Sequence, residues 1–273
     1  MTVIGSRGSK LALWQANHIL GMLAERGIEA RIEVIHTTGD KITDVSLSRL
    51  GAQTSTKGLF TKELEDALLG RRIDLAVHSM KDMPTELPIG LKIAAVPERE
   101  DSRDAIIGSL RPSGRVGTSA LRRQAQLAAA RPDLQIETIR GNVDTRLRKL
   151  DEGQFDAILL AVAGLRRLGW EDRISEIVPI ETICPAVGQG ALAVETREDD
   201  SRFDFLDHAP SRTAVDIERR FLRAMGGGCQ TPMGCYFDGR TLYCAVAEVD
   251  GSRLRRFSDS GPDALELAIE AMK

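Results

Sequence analysis

Ile73-Asp-Leu-Ala-Val-His-Ser79 decides how this chain folds. The run is apolar apart from Asp74, His78 and Ser79, and charged residues bound it: Arg71-Arg72 before it, Lys81-Asp82 just after Met80. A short apolar run without strict alternation reads as a strand buried within a sheet. Upstream, residues 59–69 place their apolar side chains at helical spacing. A helix, a buried strand and charges where the strand ends make one unit of an α/β layout.

The same unit recurs outward in both directions. Residues 2–5 read as a strand, Ser6-Arg-Gly-Ser9 as a loop, and 10 to about 25 as a helix with Ser9 as N-cap and Leu11, Leu13 and Trp14 opening its apolar face. Residues 30–36 alternate as a second strand, and a polar stretch runs from Thr37 to Thr56. Further on, 115–117 reads as a strand end, Thr118-Ser119 as a cap, and the next helix reaches about 130. A strand at 136–139, a loop from Arg140, a helix over 144–150 stopped by Gly153 and an apolar strand over 155–161 follow. The two α/β blocks are candidates for similar halves. The remainder, a helix over 211–225, short strands within 234–249 and a helix over 263–272, reads as a small α+β domain.

Charged residues gather where the strands end. Arg7 and Ser9 follow the first strand, and Lys81 and Asp82 follow residues 73–79. Arg122 and Arg123 enter the helix after Gly117-Thr-Ser, Arg140 and Arg146 flank the next loop, and Arg166 and Arg167 follow 155–161. In open α/β sheets ligands bind beyond the carboxyl ends of the strands, and helix starts favour anions. Any one of these arginines taken alone reads better as a solvated surface residue. Five strand-end loops behaving alike point to one cationic crevice. Asp82 is the lone carboxylate of the set, either a loop cap or a general acid and stabiliser of a transient cation. His78, on a buried strand, reads as a packed, hydrogen-bonded core histidine.

A second informative stretch is Gly226-Gly-Gly-Cys229-Gln-Thr-Pro-Met-Gly-Cys235. Glycines before Cys229 describe an open loop presenting a thiol, or equally a glycine linker with an incidental cysteine. Cys184 and Cys244 read as core, and Cys235 as a bystander or an oxidation partner. The four cysteines form no C-x-x-C pair and no zinc spacing.

Composition narrows the classes. A chain of 273 residues is long enough for two or three domains. A formal charge of -3 and 4% aromatic residues argue against a nucleic-acid binder. The basic residues are 29 Arg and 8 Lys, and arginine is the better fork for carboxylates. No apolar run reaches the ~20 residues of a membrane span, and Met1-Thr-Val-Ile-Gly-Ser-Arg-Gly8 lacks the layout of a secretion signal. These features lead us to expect a cytoplasmic protein with reduced thiols.

Six motifs occur in order: Lys57-Gly-Leu-Phe-Thr-Lys-Glu-Leu-Glu, His78-Ser-Met-Lys-Asp-Met-Pro, Gly117-Thr-Ser-Ala-Leu-Arg-Arg, Arg140-Gly-Asn-Val-Asp-Thr-Arg, Pro185-Ala-Val-Gly-Gln-Gly and Gly227-Gly-Cys-Gln-Thr-Pro-Met-Gly. Together they resemble the porphobilinogen deaminase (hydroxymethylbilane synthase) family, from Val3 to about Glu248. The resemblance implies two similar periplasmic-binding-protein-like α/β domains, 1–97 with 191–208 and 98–190, plus a small C-terminal α+β domain over 209–273. It implies a transferase that joins four porphobilinogen molecules head to tail with loss of ammonia and releases linear hydroxymethylbilane by hydrolysis. It implies a dipyrromethane cofactor on a thioether to Cys229, Asp82 as the catalytic carboxylate, and a monomer with neither nucleic-acid nor membrane partners. Cofactor contacts fall on Lys57, Lys81, Asp82, Ser119, Arg122, Arg123 and Arg146. Substrate contacts fall on Arg7, Ser9, Arg140, Arg146, Arg167 and Gln189. Gln53 stands where many members have a further lysine.

The residues and the resemblance agree chemically. Each porphobilinogen ring carries an acetate and a propionate, and packing such charges together is costly unless cations pair with them. Loss of ammonia leaves a cationic azafulvene, which asks for one carboxylate among the arginines. On this reading leucine at 122, 123, 140 or 146 stalls the chemistry and leaves the fold intact. A non-catalytic two-lobed anion-binding protein would also use these arginines, but it has no use for Asp82 or for the Cys229 loop.

Overall fold

The computed structural model describes residues 1–37, 61–227, 231–248 and 251–273. Lys57, Gln53 and Cys229 therefore lie outside the described residues. The chain divides into unit 1, Met1–Arg99 with Ala191–Arg212, and unit 2, Glu100–Gly190 with Thr213–Lys273.

In unit 1 the chain forms β1 (Thr2–Ser6), α1 (Lys10–Ala24), β2 (Ala30–Val34), α2 (Lys62–Leu69), β3 (Leu75–Ser79) and β4 (Leu91–Ala95). In unit 2 it forms β5 (Asp104–Gly108), β6 (Arg115–Gly117), α3 (Leu121–Ala130), β7 (Gln135–Glu137), α4 (Val143–Asp151), β8 (Ala157–Ala161), α5 (Val162–Arg167) and β9 (Glu176–Ile177). It then returns to unit 1 as β10 (Leu192–Arg197). Sheet order is β2-β1-β3-β10-β4 in unit 1 and β7-β6-β8-β5-β9 in unit 2. In each, four strands run parallel and the one inserted among them, β10 or β5, is antiparallel. The two halves are thus alike in topology. Each borrows its antiparallel strand from a chain crossing, which no local pattern announces.

Strand alternation explains why both faces of each sheet are covered. In β3, Leu75 and Val77 join Ile4, Ile19, Leu23 and Val194 on the α1 face, whereas Ala76 joins Leu64 and Leu68 of α2 on the other. In β8, Ile158 and Leu160 pack with Leu147 of α4, and Ala157 and Leu159 with Leu127 of α3. The expected caps hold at α1, where the Ser9 hydroxyl accepts from the Ala12 N–H at 3.3 Å. They fail at α3: Ala120 occupies the N-cap, and Ser119 instead donates its hydroxyl to the Ile139 carbonyl.

Unit 2 also contains α6 (Ala209–Ala224) from Thr213 onward, the antiparallel sheet β11 (Met233–Phe237), β12 (Leu242–Val246) and β13 (Arg255–Asp259), and α7 (Ala264–Met272). Phe221, Leu222, Leu242, Leu265 and Met272 form its core with Cys235 and Cys244. One buried carboxylate staples this part of unit 2. Glu218 of α6 accepts from the backbone N–H of Gly188 at 2.7 Å and of Phe237 at 3.0 Å. Glu218→Ala is expected to strand both donors and lower stability by about 2–5 kcal/mol. Glu218→Gln, which keeps one acceptor oxygen, should cost about half as much. Denaturant midpoints of the three proteins measure this, and unchanged midpoints would remove the staple from the account.

The glycines before Cys229 have local causes as well. Gly226 adopts φ +63 after α6, its N–H bonding to Arg223 O while the Gly227 N–H bonds to Leu222 O. That is a helix stop with a left-handed residue, which favours glycine. A Cβ on Gly227 would stand 2.7 Å from Met233 Sδ and 2.8 Å from Leu222. Gly226 thus answers to helix termination, and a side chain on Gly227 would have to push aside the ends of Met233 and Leu222, so these glycines do not speak only for an open loop.

Candidate active site

In unit 1, β1 and β3 are parallel neighbours, so the residues following them share one end of the sheet. Arg7 and Ser9 follow β1, and Lys81 and Asp82 follow β3 in a 3₁₀ turn, Met80–Asp82. Two buried methionines, Met80 and Met83, anchor that turn, and the Met80 N–H bonds to Ala191 O at 3.0 Å. Gln15 of α1 donates to Ser79 Oγ at 2.8 Å and ties the helix to the strand end. Lys81 is half-buried and Asp82 exposed. The Asp82 carboxylate accepts no hydrogen bond and joins no ion pair among the described residues, which argues against the loop-cap reading. His78 is a buried core residue, its Nε2 2.9 Å from Glu195 Oε2.

In unit 2, β6, β7 and β8 deliver their following residues to one end of the second sheet. Arg122 and Arg123 are buried there against Asp104, the first residue of β5. Arg122 Nη1 donates to Asp104 Oδ2 at 2.7 Å and to the Cys184 carbonyl at 2.6 Å. Arg123 donates to Asp104 Oδ1 from Nη2 at 2.7 Å and from Nε at 3.1 Å. Gln189, buried, donates from Nε2 to Asp104 Oδ1 at 2.8 Å and to Ser102 O at 2.6 Å. Burial by itself would raise the Asp104 pKa. The charges of Arg122 and Arg123 and their hydrogen bonds outweigh it and hold the carboxyl well below the usual range.

This pairing corrects one expectation. Leucine at 122 or 123 would remove a partner from a buried carboxylate, which is strongly destabilising, so the fold is not expected to survive unchanged. Arg166 is likewise occupied, by Glu100 at 2.9 Å and Glu171 at 3.0 Å, and stands apart from the ligand set. Arg167 is buried and donates to Gly190 O at 2.5 Å.

Arg146 differs from all of these. Its Nε donates to Gly141 O at 2.8 Å, and among the described residues it meets no carboxylate. Gly141 has φ +110, and a Cβ there would stand 2.6 Å from Thr145, so only glycine fits this turn. Burial first, then repulsion from Arg123 and Arg140, lowers the Arg146 guanidinium to about 10. A half-buried cation near like charges gains from meeting an anion. A ligand bearing several carboxylates, as a dipyrromethane group does, fits this donor chemistry.

The missed residues are Asp104 and Glu218. The signal for Asp104 was present: it opens the apolar run Ala105-Ile-Ile107, an unread strand. Among the described residues no group of His, Cys, Asp or Glu gathers as metal ligands, and no helix is long and apolar enough to cross a membrane.

Two like-ordered α/β sheets, each with cationic side chains beyond its parallel strand ends, make this a two-unit α/β protein. Residues 2–204 match the family model described as porphobilinogen deaminase, dipyromethane cofactor binding domain, and residues 212–273 match the porphobilinogen deaminase C-terminal domain. The chain belongs to the porphobilinogen deaminase family. It is 52% identical to the porphobilinogen deaminase of Desulforudis audaxviator, over 95% of this chain and 88% of that one. It is 48% identical to that of Geobacter sulfurreducens, over 95% and 85%, and 47% identical to that of Brevibacillus brevis, over 98% and 91%. A substrate binding domain of a putative amino acid ABC transporter from Streptococcus pneumoniae superposes with a TM-score of 0.44 at 12% identity, over 83% of this chain and 95% of that one.

Proposed function

We propose that this chain is a hydroxymethylbilane synthase, a cytoplasmic, monomeric transferase of tetrapyrrole biosynthesis, with domains 1–97 plus 191–208, 98–190 and 209–273. It condenses four porphobilinogen molecules head to tail, losing ammonia at each step, and releases linear hydroxymethylbilane to water. The observation that carries this reading is Asp82: an exposed carboxylate without an internal partner among the described residues, beside Lys81 at a strand end. A protein that only bound anions would gain nothing from it.

The dipyrromethane group, held by Cys229, supplies the pyrrole carbon to which the first substrate is joined. The protein's own residues bind, orient and move charge. Lys57, Lys81, Ser119 and Arg146 would hold cofactor carboxylates, and Arg122 and Arg123 would do so with the charge that Asp104 leaves uncompensated. Arg7, Ser9, Arg140, Arg146 and Arg167 orient the substrate's acetate and propionate. Gln189 acts through Asp104 rather than on substrate, since both its amide hydrogens are taken. Asp82 stabilises the positive charge that develops as ammonia leaves and accepts the proton released on bond formation.

Turnover of porphobilinogen by the purified chain, followed as ammonia release and as the colour of pyrroles with Ehrlich's reagent, tests the assignment. Absence of turnover in protein carrying its cofactor would overturn it. Arg146 gives a sharper test. Arg146→Leu removes a partner of a desolvated ligand charge, worth roughly 2–5 kcal/mol, so kcat/KM should fall by at least about thirtyfold. It also relieves repulsion, so its Tm should not fall below wild type. Arg146→Lys keeps the charge without the fork and should be intermediate. Wild-type turnover by Arg146→Leu would show that this cation serves no ligand.

A further inference from the structure

We propose that Asp104 is a positioning residue of the candidate site, holding the guanidinium groups of Arg122 and Arg123 in place before a ligand carboxylate arrives; the inference rests on the reading that those arginines serve such carboxylates. β5 runs antiparallel to β8, and Asp104 is paired with Ala161, the last residue of β8. The first residue of an antiparallel strand thereby stands at the carboxyl end of its parallel neighbours. That is where Gly117 of β6 hands the chain on to Arg122 and Arg123.

Asp104 is fully buried, and both its oxygens are used: Oδ2 by Arg122, Oδ1 by Arg123 and Gln189. Each guanidinium has a further anchor on a carbonyl, Cys184 O for Arg122 and Leu159 O at 3.1 Å for Arg123. Two long side chains are thus ordered by contacts made inside unit 2. A site ordered beforehand loses less freedom when its ligand binds. The charge count agrees: two guanidinium groups against one carboxylate leave a surplus of one positive charge. Without Asp104, Arg122 and Arg123 would face each other uncompensated, with Arg146 acting on Arg123 as well, and like charges would drive the forks apart.

A carboxylate that merely balanced charge would have the opposite consequence. Removing it would make the site more positive and draw anions more strongly. The sign of the effect therefore separates positioning from balance.

Full-length chain, wild type and Asp104→Asn, is made in cells that cannot form porphobilinogen. Circular dichroism and unfolding midpoints establish that the variant is folded. Porphobilinogen is then added, and intact mass follows the fraction carrying a covalent pyrrole adduct with time. In parallel, the nitrogen-15 spectrum of the ligand-free protein reports the Arg123 Nε–H, assigned with Arg123→Lys. Expected in Asp104→Asn are loss of the exchange protection of that N–H and adduct formation slowed by at least about tenfold. Adduct formation at the wild-type rate or faster, or an Arg123 Nε–H still protected, overturns the proposal. If Asp104→Asn does not fold, Asp104→Glu carries the test, since it keeps the charge and moves it by one methylene. Slowed loading by Asp104→Glu supports positioning, and wild-type loading overturns it. If the wild type takes up no adduct, the proposed function fails, while the Arg123 signal in the variant still decides whether Asp104 orders the forks.

Discussion

Asp82→Asn is expected to fold like the wild type and to turn over porphobilinogen about a hundredfold more slowly, or worse. The fold should be indifferent because Asp82 is exposed and makes no hydrogen bond or ion pair among the described residues. Surface changes of that kind shift stability by no more than about 0.5 kcal/mol. The chemistry should not be indifferent. An amide keeps the shape of the side chain but can neither balance a developing cation nor take up a proton. Single-turnover ammonia release, with denaturant unfolding on the same samples, separates the two. Near wild-type turnover would end the catalytic role, and a large drop in stability would return Asp82 to a structural one.

Cys229→Ser is expected to carry no covalent pyrrole and to show no sustained turnover. Intact mass of wild type and variant, each purified from cells that make porphobilinogen, reads this directly. The attacking species in thioether formation is a thiolate. Cys184, Cys235 and Cys244 are all buried. Burial pushes the Cys184 thiol well up, and burial with the hydrogen bond to Cys244 does the same for Cys235. Those thiols are poor competitors for the attachment. A bare wild-type mass would defeat the cofactor assignment, and an adduct surviving in Cys229→Ser would move it to another thiol.

Much of this was legible in the chain. The apolar run from Ile73, the N-cap at Ser9 and the strand at Arg115–Gly117 follow from local patterns, because a cap and a side-chain periodicity are set by residues adjacent in the chain. The strand-end arginines were legible for the same reason: once strands are placed, the residues that follow them are known. The isolated short strands β4, β5, β9, β10 and β13 were not read. The five residues of β5, for instance, gain their ladder hydrogen bonds only from β8 and β9, distant in sequence.

Side-chain partnership divides the rest. The sequence by itself determined the α/β class, the family, and which residue types stand at the strand ends, since those depend on local pattern and on the ordered motifs. Only the tertiary structure decided what each charge meets. It placed Asp104 between Arg122 and Arg123, occupied Arg166 with Glu100 and Glu171, and left Arg146 among cations with Asp82 open to solvent. The physical reason is that Coulomb energy depends on separation in space and on burial. Asp104 and Arg122 are 18 residues apart in the chain and 2.7 Å apart at their polar atoms, brought together by an antiparallel strand that no periodicity in the sequence reveals.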